Sequence, residues 1–353
     1  MRVVHVHRIA GISGSERHLL TLLPALAAEG IEAAFVGLDG GGNPEPFYAE
    51  LDRAGVAYRR VSAVPRLRHA LTSFGPDLVH THLVHADVWG AVAAGRTPLV
   101  STKHNDDPFR TGVFRFVERA LGRRARAIIC ITEALARFNA DGVGIPRGKI
   151  SVVHYGLDEV PAAWSNDPPL ELPEGARVVL SIGRLVPQKG HDVSLNAFAR
   201  IRVEHPDAVL AIVGEGPERE QLETLGRKLD LGDSLLLPGR AGDVAAWFRR
   251  AELFLHPARW EGFGLVLLEA MLAALPVVAT RVSSIPEIVA ADETGLLVAR
   301  EDPEALAVAL GRVLDDPAYA QQLGEAGLAR ARSEFSVERM ASATAAVYRK
   351  ALV

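Results

Sequence analysis

Short apolar strands alternate with helical stretches along almost the whole chain, and the turns between them are repeatedly rich in glycine. That alternation leaves few architectures open and points to an α/β protein with largely parallel sheets. The stretch 253–274 shows the repeating unit most clearly. Leu253–Phe254–Leu255–His256 reads as a short apolar strand, and Leu265 to Ala274 as a helix buried almost all round. Between them, Gly262 and Gly264 let the backbone come close to a ligand. A helix start after a strand also offers N–H groups to an anion. Two carboxylates, Glu261 and Glu269, stand at this turn and on the helix after it. Carboxylates do not ligate phosphate, so a pair of them beside an anion site suggests sugar or ribose hydroxyls. A phosphorylated sugar suits both halves. In the competing reading, Glu261 is a first-turn residue favoured by the helix dipole and Glu269 pairs with a nearby cation. Glu269 interrupts an apolar run, however, and a buried carboxylate needs partners.

A chain of 353 residues is expected to form two domains, each with its own core. The single cysteine, Cys130, lies in the apolar run Ala127–Ile131, which excludes a disulfide framework and fits a reducing, cytoplasmic setting. The chain enters a strand at Arg2–Val6, so no signal peptide is expected. No run approaches the roughly 18 apolar residues that span a bilayer. Residues 1–160 hold 19 Lys/Arg against 16 Asp/Glu, whereas the whole chain has net charge −4. That excess is too small to argue for nucleic acid, but it makes the first half the likelier side to meet an anionic surface.

In chain order, the strand Val3–Val6 leads into the loop Ala10–His18 and a helix from Leu19 to Ala28. Such a loop is where doubly wound sheets bind ligands. Further strands are expected at 33–38, 56–61, 77–82 and 98–105. His80, His82 and His85 stand close together, but strand spacing alone does not make them a metal site. Phe109 to Arg126 interleaves six arginines with apolar residues. It reads either as a basic amphipathic helix on a membrane surface or as an ordinary helix packed on its sheet. Residues 159–175, rich in proline, read as a linker. After the strand Val178–Ile182, Arg184 can present a fork to phosphate oxygens and Lys189 adds a point charge. The expected domains are residues 1–163, joined by a helix at 337–353, and residues 174–336.

Glu261 to Glu269 resembles the E-x7-E signature of the retaining glycosyltransferases of family 4. Gly183–Arg184–Leu185, with Lys189 and Gly190, is similar to that family's G-R-L-x-x-x-K-G. The loop with Gly14 and Glu16 resembles its G-G-x-E, with Ser13 in place of the first glycine. His104 stands in a similar T-x-H stretch, and 152–158 resembles V-x-x-N-G-I-D with Tyr155 in place of asparagine. The resemblance implies the GT-B fold, two Rossmann-like domains facing each other across a cleft, with the last helix crossing back to the first domain. It implies a nucleotide-diphosphate sugar donor and an acceptor hydroxyl on a glycan, a lipid-linked or a small molecule. Glu261, His104, Arg184 and Lys189 then fall to the reaction. Glu269, Phe263, Gly264, Leu265, Gly14, Gly183 and Arg240 fall to donor binding. No D-x-D motif occurs, so no metal is expected to hold the diphosphate. A nucleotide-sugar 2-epimerase and a silent nucleotide-sugar-binding protein remain as alternatives. Peripheral attachment to the inner face of the plasma membrane is the expectation attached to 109–126.

Overall fold

The computed structural model describes residues 1–106, 108–159, 172, 175–240 and 244–353, with no account of the side chains of residues 64, 108 and 109. The chain divides into two compact units, Met1–Gly156 with Phe335–Val353, and Leu157–Glu334. Most of the proline-rich stretch expected as a linker lies outside the described residues.

The first unit is built on seven strands: β1 (Arg2–Ile9), β2 (Glu32–Asp39), β3 (Tyr58–Val61), β4 (Leu78–His82), β5 (Leu99–Lys103), β6 (Ala127–Cys130) and β7 (Ile150–Val152). They lie in the order 3-2-1-4-5-6-7, and every pairing is parallel. The helix Val337–Leu352 belongs to this unit, as expected of a helix that crosses back. Its apolar stripe, with Met340, Ala341, Ala345 and Tyr348, packs with Val3, Leu78, Val100 and Ile129 in one buried cluster. Each fully buried large apolar side chain there is worth about 1.5–3 kcal/mol.

The second unit carries β8 (Arg177–Ile182), β9 (Ala208–Val213), β10 (Leu235–Gly239), β11 (Ala251–His256), β12 (Val277–Thr280) and β13 (Gly295–Val298). Their order is 10-9-8-11-12-13, again all parallel. In both sheets the order reverses direction beside the first strand. The loops leaving β8 and β11 therefore meet at a crevice, the place where such sheets hold ligands.

Two local expectations need correction. The first helix starts at Gly14, not Leu19, because the Glu16 carboxylate accepts the Ser13 backbone N–H at 3.1 Å and closes the first turn. The stretch 109–126 is not one amphipathic helix: a 3-10 turn, Pro108–Thr111, precedes the helix Arg115–Arg124. Arg110 is only 1% exposed and donates to Glu118 (3.1 Å), Asn139 (2.7 Å) and the Asn105 carbonyl (2.6 Å). It is a core cation, since a buried guanidinium must find acceptors for its donors.

Candidate active site

The crevice of the second unit is assembled from two turns. Gly183–Gly190 leaves β8, and Pro257–Gly264 leaves β11 and enters the helix Leu265–Leu272. Gly190, with φ 65°, lies so close to the second turn that a Cβ there would meet the Pro257 carbonyl oxygen at 2.2 Å. The Arg259 N–H donates to the Gln188 carbonyl at 2.8 Å, and the Gln188 amide donates to the Trp260 carbonyl at 3.1 Å. The Arg259 guanidinium grips Asp192 with two bonds of 2.9 and 2.8 Å and the Pro187 carbonyl at 2.7 Å. Arg259 and Asp192 are thus a clamp that holds the turns together. A bidentate arginine is suited to this.

The same contact brings Lys189 to Glu261, with Nζ 2.5 Å from Oε2. The Nε2 of His256, the last residue of β11, lies 3.0 Å from the same oxygen. Burial alone raises the pKa of the Glu261 carboxyl. Lys189 beside it and the bond from His256 outweigh that and hold it well below the usual carboxylate range. Burial pushes His256 down, so the ring is neutral and donates its Nε2–H. His256 was missed in the sequence because a lone histidine closing an apolar strand reads as core. Its spacing of five residues before Glu261 was the available signal.

Arg184 is exposed, and among the described residues its guanidinium has no hydrogen bond or ion pair. It is therefore available to phosphate oxygens. Gly264 adopts φ 91°, and a Cβ there would lie 3.0 Å from Leu267 Cδ1 and 3.2 Å from Glu261 Cγ. It turns the chain into the helix and leaves room for Glu261. The helix then starts at Leu265; the Leu267 N–H donates to the Gly264 carbonyl at 2.8 Å, while the N–H groups ahead of it have no carbonyl one turn back within the helix. Phe263 is buried at 3% exposure and Glu269 at 2%. Ser284, on the loop after β12, donates its hydroxyl towards the carbonyls of Glu261 and Phe263, each at 3.2 Å. Gly183 backs the site: a Cβ on Gly214 would stand 1.9 Å from the Gly183 carbonyl oxygen, so the two loops touch backbone to backbone. Arg240 is exposed just after β10, and among the described residues no hydrogen bond or ion pair joins it to the Lys189–Glu261 group. A cavity of about 540 Å³ adjoins the turn, lined by Arg259, Trp260, Arg281, Ser283 and Arg300 among others.

In the first unit, Gly14 meets no steric demand that a Cβ would violate. Burial raises the Glu16 carboxyl, but His7 (3.1 Å) and the bond from the Ser13 hydroxyl outweigh it and hold it at about 2. His104 is 7% exposed, and both ring nitrogens are bonded within the protein, Nε2 to His82 at 3.0 Å and Nδ1 to the Tyr155 hydroxyl. Burial drives its pKa well below the ordinary value. His80 and His82 lie with His5, their ring nitrogens within 4.8 Å of one another, whereas His85 is exposed and outside that group.

Glu261 with its cation, a free arginine, a helix start and a second buried glutamate form a donor set for a phosphorylated, polyhydroxylated ligand. Comparisons with known proteins bear on which one. The model for glycosyl transferases group 1 matches residues 163–330, and that for glycosyltransferase family 4 matches residues 12–160. Glycogen synthase of Mycobacterium tuberculosis is 31% identical over 289 residues, covering 78% of this chain and 69% of that protein. The chain belongs to glycosyltransferase family 4. D-inositol 3-phosphate glycosyltransferase of Streptomyces avermitilis is 34% identical over 309 residues, covering 78% of this chain and 66% of that protein. Anabaena HepE, solved with UDP and glucose, superposes with a TM-score of 0.84 at 20% identity over 99% of both chains, which shows the shared GT-B fold. The family 4 chain is thus a glycosyltransferase enzyme of GT-B type that uses a nucleotide sugar, with Glu261 of its E-x7-E in contact with Lys189 of its G-R-L-x-x-x-K-G.

Proposed function

We propose that this glycosyltransferase moves a hexosyl unit from a nucleoside-diphosphate sugar to an acceptor hydroxyl with retention at the anomeric carbon. Its acceptor is a glycan, a lipid-linked saccharide or a small molecule of cell-envelope or glycoconjugate synthesis. The observation that carries the reading is the Lys189–Glu261–His256 group beside the unpaired Arg184. In this reading, Glu269 binds ribose hydroxyls. Glu261 and the N–H groups of Phe263, Gly264 and Leu265 serve the transferred sugar and the phosphates. Arg184 and Lys189 stabilise the departing diphosphate without a metal. The bond from C1 to the phosphate oxygen breaks while the acceptor oxygen bonds C1 on the same face, and the acceptor's proton passes to the departing phosphate. Such a step draws its rate from charge stabilisation more than from a protein base. His104 is the reaction residue assigned to the first unit, and Gly14 its loop contact. Gly183 and Arg240 complete the donor contacts.

Attachment to an anionic membrane is part of the proposal. Val113 is 87% exposed, Phe116 60% and Val117 41%, and the exposed Arg115 and Arg123 lie on the same segment. Among the described residues no helix is long and apolar enough to cross a membrane, so this surface would lie on the bilayer and not span it. Incubation with a panel of nucleotide sugars and candidate acceptors in EDTA tests the function. Release of nucleoside diphosphate only when acceptor is present, with a product of retained anomeric configuration, is the expected result. Release without acceptor, together with an altered sugar, points to an epimerase. Binding without release points to a silent receptor.

A further inference from the structure

The first unit buries more imidazole than the proposed chemistry uses. His5, His80 and His82 are 0% exposed and His104 7%, and burial depresses the pKa of each, to about 3 for His5. All four rings are neutral, so each has one N–H and one lone pair. They lie on one continuous line of hydrogen bonds. The Tyr155 hydroxyl meets His104 Nδ1, and His104 Nε2 meets His82 Nδ1 at 3.0 Å. His82 Nε2 meets His5 Nδ1 at 3.0 Å, and His5 Nε2 meets the Tyr348 hydroxyl at 3.3 Å. That hydroxyl also meets His80 Nδ1 at 2.6 Å, and His80 Nε2 meets Thr102 Oγ1 at 2.7 Å. Strands β1 and β4 supply three of the rings, the residue after β5 supplies His104, and the last helix supplies Tyr348.

The atom order along this line has a consequence. Each link needs one hydrogen, and each ring gives one and takes one. If Tyr155 donates to His104, every following ring must carry its hydrogen on Nε2, through to His80 donating to Thr102. If Thr102 donates to His80, every ring must carry it on Nδ1. A mixture leaves a buried link with two hydrogens or none, or, where both neighbours donate to Tyr348, leaves its own hydroxyl hydrogen without an acceptor on this line, at a cost of about 1–3 kcal/mol. Moving the hydrogen between nitrogens reverses the imidazole dipole, and His104, with both nitrogens occupied, acts on its surroundings largely through that dipole.

We propose that this line is a tautomer relay that fixes His104 in one tautomer, with Tyr348 as the positioning residue that closes it. The bearing of this relay on turnover rests on the assignment of His104 to the reaction. The relay itself does not depend on that assignment, and the two can be separated by experiment.

Long-range 1H–15N correlation spectra of the full chain, labelled with 15N-histidine, report which nitrogen of each ring bears hydrogen. The expected native result is one shared tautomer at His5, His80, His82 and His104. Tyr348→Phe cuts the line between His5 and His80, and Thr102→Val cuts it at its end with little change of shape. In at least one of them the single tautomer of His104 is expected to give way to a mixture or to its opposite, with Thr102→Val retained as the reading if Tyr348→Phe fails to fold. Mixed tautomers in the native rings, or an unchanged His104 in every folded variant, would overturn the relay. If the tautomer shifts while turnover stays native, the relay stands and the assignment of His104 to the reaction falls.

Discussion

Replacing Lys189 by methionine removes the ammonium 2.5 Å from Glu261 and leaves a buried carboxylate with neutral partners, the His256 ring and the Gly262 N–H. Breaking a buried pair from one side costs about 3 kcal/mol or more, because the remaining charge is stranded. Lys189→Met is therefore expected to lower the urea midpoint of the second unit as well as turnover. A midpoint unchanged from native would show that Glu261 does not depend on this cation. In the first unit the buried neutral histidines make a pH prediction. Burial lowers His5 and His18 to about 3 and His80, His82 and His104 well below their ordinary value. Below a pH of about 6.5 the unfolded chain binds protons that the folded unit refuses. Stability then rises with pH between the folded values and about 6.5 and falls as pH drops through that window. Urea midpoints for this unit should be level above pH 7 and decline steadily from pH 6.5 to 5.5, before carboxylates titrate. A flat profile there would mean that the rings take up protons in the fold.

At the scale of the element, the turn from β11 into the helix Leu265–Leu272 depends on one backbone conformation. Gly264 has φ 91°, and an added Cβ meets Leu267 and Glu261. Gly264→Ala forces a side chain into the left-handed region, at about 1–2 kcal/mol, and presses on the Glu261 stem. Turnover is expected to fall at least tenfold while the unit still unfolds cooperatively; native turnover would show that the turn tolerates the shift. The helix Arg115–Arg124 carries its own test. Phe116→Ser with Val113→Ser should abolish sedimentation with phosphatidylglycerol vesicles, and added salt should weaken the native binding. Failure of the native chain to sediment at low salt would leave this face as ordinary surface. Elements like these differ in how well the sequence announces them. The β11 turn was legible because its strand, glycines and helix are contiguous. The helix at 115–124 was overextended because Arg110 looks like the other arginines until Glu118 and Asn139 are found around it.

Across the molecule, the two parallel sheets followed from local patterning, since each strand, glycine loop and helix is a self-contained signal. The Lys189–Glu261 contact spans 72 residues and was legible only as two separate motifs; the shared crevice makes them one site. His256 was marked only by its spacing from Glu261, and the relay was not legible at all. Tyr348 lies 343 residues from His5, and nothing in either segment marks the other as its partner. In the proposed function, a nucleotide sugar sits in the second unit with its ribose on Glu269 and its moving sugar near Glu261. Calorimetric titration of the native chain, Glu269→Gln and Glu261→Gln with UDP and GDP in EDTA tests it directly. One nucleotide is expected per native chain, with a loss of about 1–3 kcal/mol in Glu269→Gln, since ribose contacts are made in ground and transition state alike. Glu261→Gln should bind the nucleotide almost as the native chain does while its turnover collapses. No binding of any nucleoside diphosphate without metal, or equal loss in both variants, would contradict it.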